Sequence, residues 1–285
     1  MPREIDRKKL LALRGDLDSQ IWLGEAYYFG IDAPESEAKG MSWWLRAAKQ
    51  GDPDAMYFVG NAYFLGRGLP TNPAKAVRWW RKAGEKGEIK AQERVGLAYY
   101  IGCGVHKNLT KAAEAFQKAA DAGSVKALFF LSHLYFHGQG VPKDEAKSLE
   151  LCHLAAEMGD DEAQSALGDA YFNGQGVIED KALAVTWWIK AANQENQVAQ
   201  LRLGLTYSVG DGVPKNLAKG LKWYRRAAEH QNVTALKFLA KAYFTGQGVR
   251  KNLDKAALYL KKAAELGHAE SQEVLDILYA KNKLN

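Results

Sequence analysis

The chain has 285 residues, 47% of them apolar and 25% charged, with a formal net charge of +6. No stretch approaches the ~18 apolar residues that a membrane-spanning helix needs, so membrane insertion is not expected. The 39 basic residues are interspersed with 33 acidic ones, without the block density of a phosphate-binding arm, so nucleic acid is an unlikely partner by composition.

A period runs through the whole sequence. Gly15, Gly51, Gly87, Gly123 and Gly159 stand 36 residues apart, and Tyr27, Tyr63, Tyr99, Tyr135, Tyr171, Tyr207, Tyr243 and Tyr279 keep the same spacing. A fixed period of this size means one supersecondary unit copied along the chain and stacked on itself. Residues 1–285 are therefore expected to form one repeat domain. It has an N-terminal cap helix within 1–18, repeats over 19–268 and a C-terminal cap helix over 269–285.

In chain order, residues 4–13 read as a lone helix of the second type, with Arg7 and Lys8 where later repeats carry large rings. The first loop, GIDAPES, has Asp32 in place of a glycine. The unit is fully legible in residues 55–87. Ala55, Val59, Ala62 and Tyr63 fall at spacings of three and four, on one face of a first helix. Gly60 lies within that helix and recurs as Gly24, Gly96, Gly168 and Gly204, with Ser132 and Ala240 as small substitutes. A mid-helix glycine costs roughly 1 kcal/mol against alanine, so its recurrence predicts a neighbouring helix backbone passing close by.

Gly66 and Gly68 then supply a helix C-cap and a turn, and Leu69 plugs the loop against the core. Later loops place Val105, Val141, Val177, Val213 and Val249 at the plug position. Asn72, Asn108, Asp144, Asp180, Asn216 and Asn252 are placed to cap the second helices. Those helices carry paired large residues, Trp43/Trp44, Trp79/Trp80, Ala115/Phe116, Leu151/Cys152, Trp187/Trp188, Trp223/Tyr224 and Tyr259/Leu260, set against alanines. The fixed register makes them packing groups that hold the stack together. Arg46, Lys82, Lys118, Lys190, Arg226 and Lys262 suit the negative end of the helix dipole, with a polyanion-binding ridge as the alternative. Glu195 and Gln231 interrupt the inter-repeat glycine column. The left-handed turn residue is expected to move there to Asn196 or Asn232, changing the local twist. Tyr279 persists without the glycine pair, so the stack ends on one last first helix.

Catalytic chemistry is not expected. His133 and His137 share a helix face, and Cys103 and His106 a loop, but no third metal ligand, nucleophile elbow, phosphate loop or dinucleotide fingerprint accompanies them. Cofactors and metals are accordingly expected to be absent. Cys103 and Cys152 supply no disulfide framework, and MPREIDRKKLLALRGD lacks an apolar signal core; both features predict a cytoplasmic protein.

Ala163, Leu167, Gly168, Tyr171, Gly174, Gly176 and Val177, with Ala218, Trp223, Tyr224, Ala227 and Ala228, give the motif its sharpest form. The pattern resembles the Sel1-like repeat family, relatives of the tetratricopeptide repeats, and does so over nearly the whole chain. The resemblance implies an all-α fold, a right-handed alpha-alpha superhelix of seven repeats with half-repeat caps. It also implies an adaptor that binds another protein, with no small-molecule substrate. Some bacterial members look like immunity proteins against toxic effectors. A secreted branch pairs two cysteines in each repeat, which this chain lacks.

In that family geometry the first helices line the concave groove, so recognition falls to the positions that break the repeat. They are Trp22, Glu25, Tyr57, Phe58, Asn61, Arg94, Phe130, His133, Asp169 and Arg202. Aromatics mixed with single charges have the composition of a protein-binding hot spot. Arg94 and Arg202 are expected to fork onto carboxylates of the partner, and a partner with an acidic surface suits the net charge.

Overall fold

A computed structural model of the chain describes residues 4–282, and every regular element among them is an α-helix. The contacts divide the chain into two compact units, Met1–Leu151 and Cys152–Asn285. In the first unit the helices are α1 (Glu4–Leu13), α2 (Leu17–Phe29), α3 (Glu37–Gln50), α4 (Pro53–Leu65), α5 (Pro73–Glu85), α6 (Ile89–Ile101), α7 (Leu109–Asp121) and α8 (Val125–His137). Helix α9 (Glu145–Glu157) contains the boundary. The second unit continues with α10 (Asp161–Asn173), α11 (Lys181–Asn193), α12 (Gln197–Val209), α13 (Leu217–Glu229), α14 (Val233–Thr245), α15 (Leu253–Glu265) and α16 (Ala269–Asn282).

Within each unit a helix packs chiefly on its sequence neighbours, as in an α-solenoid. The first helices bury the face that the spacing selects: Ala55, Val59 and Ala62 are buried, with Tyr63 half-buried beside them. Each helix start from α2 onward is capped by a side chain. Asn72, Asn108, Asp180, Asn216 and Asn252 accept from the backbone N–H three residues on, and Asp144 does the same for Lys147 N–H. The N–H of the same cap residue donates to the carbonyl of the repeating tyrosine, as from Asn72 to Tyr63 at 2.7 Å. One residue thus ties the end of the first helix to the start of the second.

The loop glycines have two different duties. Gly66, at φ 75°, ends α4 in the left-handed region. Gly68 also has positive φ, and a Cβ there would lie 2.6 Å from the carbonyl oxygen of Glu37 in the preceding repeat. Only a glycine lets the two repeats approach so closely.

The mid-helix glycines face a different neighbour from the one expected. A Cβ on Gly60 would lie 2.4 Å from Cδ1 of Trp80, and one on Gly24 2.3 Å from Cδ1 of Trp44. Gly96, Gly168 and Gly204 face Phe116, Trp188 and Tyr224 in the same way. What passes closest is the ring of the following second helix, with the Ala184 carbonyl oxygen next at Gly168, 3.1 Å away. Ala240 replaces the glycine where that helix presents Leu260, so the size of the two columns is matched. Close backbone approach occurs on the second helices, where a Cβ on Gly40 would lie 2.8 Å from the carbonyl oxygen of Gly24.

The turns at Glu195 and Gln231 also differ from expectation. Both residues take positive φ themselves, 66° and 60°, where Gly159 has 100°. Asn196 and Asn232 remain extended and cap α12 and α14. The backbone bonds match those at glycine: Asn196 N–H donates to Ala191 as Asp160 N–H does to Ala155. The turn has not shifted, so the premise for an altered twist is gone. At Glu195 the side chain is held in compensation. Its carboxylate accepts from Arg226 at 2.6 Å, His230 at 3.2 Å and Gln200 at 2.8 Å. These bonds, led by that from Arg226, hold the Glu195 carboxyl down to about 2.

Candidate protein-binding face

The outward residues of the first helices stand in registers fixed by the packing of the two columns beneath them. One register runs through Trp22, Phe58, Arg94 and Phe130 in the first unit and through Arg202 and Phe238 in the second. Its phenylalanines stack on the buried ring of the preceding second helix. Phe58 lies on Trp44 with centroids 4.6 Å apart and planes at 9°, Phe130 on Phe116 at 5.0 Å and 7°, and Phe238 on Tyr224 at 4.7 Å and 7°. Each ring therefore bridges two repeats through one face; Phe58 and Phe130 are half-buried and Phe238 is exposed. Trp22 is half-buried, with Lys8 of the cap helix 5.8 Å from its ring centroid.

The adjacent register explains itself through the tryptophans. Asn61 Oδ1 accepts from Trp80 Nε1 at 3.2 Å, and Asp169 Oδ1 accepts from Trp188 Nε1 at 3.1 Å. Repeats without an inner tryptophan carry Leu97, His133, Leu205 or Lys241 here. The acceptor follows the indole N–H, a correlation already present in the sequence. Asp169 also pairs with Arg202 at 3.2 Å, so that guanidinium has its carboxylate within the chain. Asn61, Asp169 and Arg202 are thus committed to internal bonds. Glu25, in the same register, is exposed.

In the first unit the structure brings Tyr57 and Arg94 together. They border a cavity of about 700 Å³ between α4, α6 and α8, with Asp54, Glu88, Glu93 and Lys126 around it. Arg94 is exposed and Tyr57 half-buried, its ring 5.8 Å from that of Phe58. Burial and the neighbouring Asp54 raise the Glu88 carboxyl above its usual range. Phe130 and His133 lie further along, beside Tyr100 at 6.2 and 6.3 Å. His133 is 4.4 Å from His137, and burial together with that neighbour lowers its basicity. No group of three metal-ligating side chains occurs among the described residues.

Of the acidic members of the cavity, Asp54 lies in the first turn of α4 and Glu88 in the inter-repeat turn that caps α6, positions that read as scaffold. Glu88 was nonetheless detectable as the odd cap. Its carboxylate accepts from Lys90 N–H two residues on, where Asp52 and Ser124 accept from three residues on.

The basic column at the ends of the second helices has found partners in the same helices. Arg46, Lys82, Lys190 and Arg226 lie 4.6, 5.0, 3.9 and 4.9 Å from the ring centroids of Trp43, Trp79, Trp187 and Trp223. The helix dipole and the ring face act on the same cation. No described helix is long and apolar enough to cross a membrane.

The model of the Sel1 repeat matches seven consecutive segments, 17–52, 53–88, 89–124, 125–160, 161–196, 197–232 and 233–268. No curated protein sequence matches the chain. Among solved structures, a protective antigen of uropathogenic Escherichia coli strains displaying an SLR fold is 34% identical over 97% of this chain, with a TM-score of 0.79. This chain spans only 59% of that one. A Sel1 repeat protein from Oxalobacter formigenes is 31% identical, with a TM-score of 0.85, covering 96% of this chain and 79% of its own. An immunity protein from Pseudomonas aeruginosa shares the fold at 21% identity and a TM-score of 0.52, over 75% of this chain and 81% of its own. With seven matched repeats covering most of its length, the chain belongs to the Sel1 repeat family, as an α-solenoid.

Proposed function

We propose that the protein is an adaptor that mediates contacts between proteins, holding its partner on the first-helix face of Met1–Leu151. The observation that carries this reading is the cluster around the 700 Å³ cavity, where exposed Arg94 and half-buried Tyr57 meet acidic and basic neighbours. A guanidinium and a phenol beside half-covered rings are the anchors that dominate protein interfaces. Arg94 forms no ion pair among the described residues, whereas Arg202 is committed to Asp169, so Arg94 is the better candidate to fork onto a partner carboxylate. The rigid repeat scaffold keeps the ordering cost of binding low on this side of the interface.

Cytoplasmic residence is proposed with it, supported by Cys103, whose thiol is free. The polyanion reading is weaker, because four of the six helix-end cations already rest on tryptophan faces.

The test is affinity capture from source-cell lysate with wild type, a Tyr57→Ala/Arg94→Ala variant and a Lys222→Ala control. A stoichiometric protein retained by wild type and control, lost from the double variant and only weakly salt-sensitive supports the adaptor. Recovery of nucleic acid with a steep salt dependence would replace it with the polyanion reading.

A further inference from the structure

The outer position of the second helices is filled by an aromatic ring in five repeats: Trp43, Trp79, Trp187, Trp223 and Tyr259. Three of them share the same surroundings. Trp43 packs with the cluster containing Tyr27, Trp79 with that containing Tyr63, and Tyr259 stacks on Tyr243 at 5.8 Å and 16°. The ring therefore lies beside the repeating tyrosine. In four of the five a cation three residues later sits over it.

The third repeat has every part of this arrangement except the ring. Ala115 stands at the ring position, with Tyr99 as the repeating tyrosine and Lys118 as the cation. What the missing side chain leaves is a cavity of about 270 Å³ between α5, α6 and α7, lined by Ala115, Tyr99, Val95, Lys118, Gln92 and Arg81 among others. Gln92, on the cavity wall, donates through Nε2 to Gly84 at 2.9 Å.

We propose that this cavity is a socket for a tryptophan side chain presented by a partner protein. The ring would stack on Tyr99 under the Lys118 ammonium, as Tyr259 stacks on Tyr243. The chain's own repeats specify the occupant: the socket is shaped for the residue type that its sister repeats supply themselves. Leu151 fills the corresponding position one repeat later with an aliphatic side chain, so among the seven positions Ala115 alone lacks a large side chain. The site is distinct from the Tyr57/Arg94 face. It rests on the protein-binding reading only for the source of the ring.

The experiment needs no partner. Isotope-labelled full-length protein is titrated by NMR with N-acetyl-tryptophan amide at millimolar concentrations, with N-acetyl-alanine amide and free indole in parallel. Saturable shifts at the amides of Val95, Tyr99, Ala115 and Lys118 with the tryptophan amide, and none with the alanine amide, are expected. Ala115→Trp, which supplies the ring from within, is expected to reduce the response at least tenfold and to melt no lower than wild type. Ala115→Leu, which borrows the Leu151 solution, is the second blocking variant should the first fold poorly. Lys118→Ala is expected to weaken binding a few-fold. Absence of saturable shifts in wild type, or equal shifts in both blocking variants, would overturn the socket. Binding of indole without the tryptophan amide would overturn the partner side chain as its source. Neither result bears on the capture experiment through Tyr57 and Arg94, so the two readings fail separately.

Discussion

Asn61 shows how a residue that breaks the repeat can still belong to the scaffold. Its variability along the register suggested partner contact, yet it accepts the Trp80 indole N–H, and Asp169 does the same for Trp188. The signal that separates the two roles lay in a second column. Acceptors occur with tryptophan and are lost with Phe116, Tyr224 or Leu260. The repeat-breaking criterion treats columns singly and misses such a pairing. Asn61→Leu should therefore cost about 1–3 kcal/mol, because the Trp80 N–H is left buried and unpaired. Trp80→Phe in the same chain recreates the Leu97/Phe116 pair of the next repeat and should recover part of that loss. A double-mutant cycle by denaturant unfolding measures it, and a coupling energy near zero would show that the hydrogen bond does not link the two columns. Arg94 and Tyr57 survive as candidates because the structure assigns Arg94 no ion pair among the described residues and leaves both on the edge of a cavity.

At the scale of the element, helices, caps and loop plugs were legible because six or seven copies of each signal agree. The turns at Glu195 and Gln231 were misread because a glycine column was taken to require glycine. The hydrogen bonds of the turn outweigh the left-handed penalty of roughly 1–2 kcal/mol that a side chain incurs there. The two sites should respond differently. The Gln231 side chain has no hydrogen-bonded network among the described residues, so Gln231→Gly should stabilise the protein by about 0.5–1 kcal/mol, the relieved strain less the added freedom of the unfolded chain. Glu195 is tied by Arg226, His230 and Gln200, and its folded value of about 2 lies below the ordinary 4.5. Its ionised form is favoured by the fold, so its contribution is complete above about pH 4.5 and is lost as pH falls through about 2. Thermal melts of wild type and Glu195→Gln should therefore differ most near neutrality and converge as the pH approaches 2. A gap that stays constant across that window would mean that the carboxylate charge contributes nothing to the turn.

For the molecule as a whole, the period alone dictated an architecture of neighbour-on-neighbour packing, and the helix contacts within each unit have that character, with α12 touching α14 as an addition. The candidate site was less legible than the fold. Its cavity is bounded by Asp54 at a helix start and Glu88 at a helix cap, positions that serve the stack, and its rings double as bridges between repeats. A structure held by such contacts should lose stability locally, since no long-range pairing spreads the damage. Leu131, fully buried in α8, provides the test within Met1–Leu151. Leu131→Ala should cost about 2–5 kcal/mol through the cavity it leaves. Native-state hydrogen exchange should then accelerate in α7 and α8 while α2 and α3 keep most of their protection. Equal loss of protection from α2 to α8 would instead make the unit a single cooperative block. In that case a partner bound at Tyr57 and Arg94 would stabilise all of it, because binding to any folded part favours whatever folds with that part. The local outcome carries a different consequence: partner binding there would protect chiefly α4, α6 and α8, which border the cavity, and leave the distant caps to open on their own.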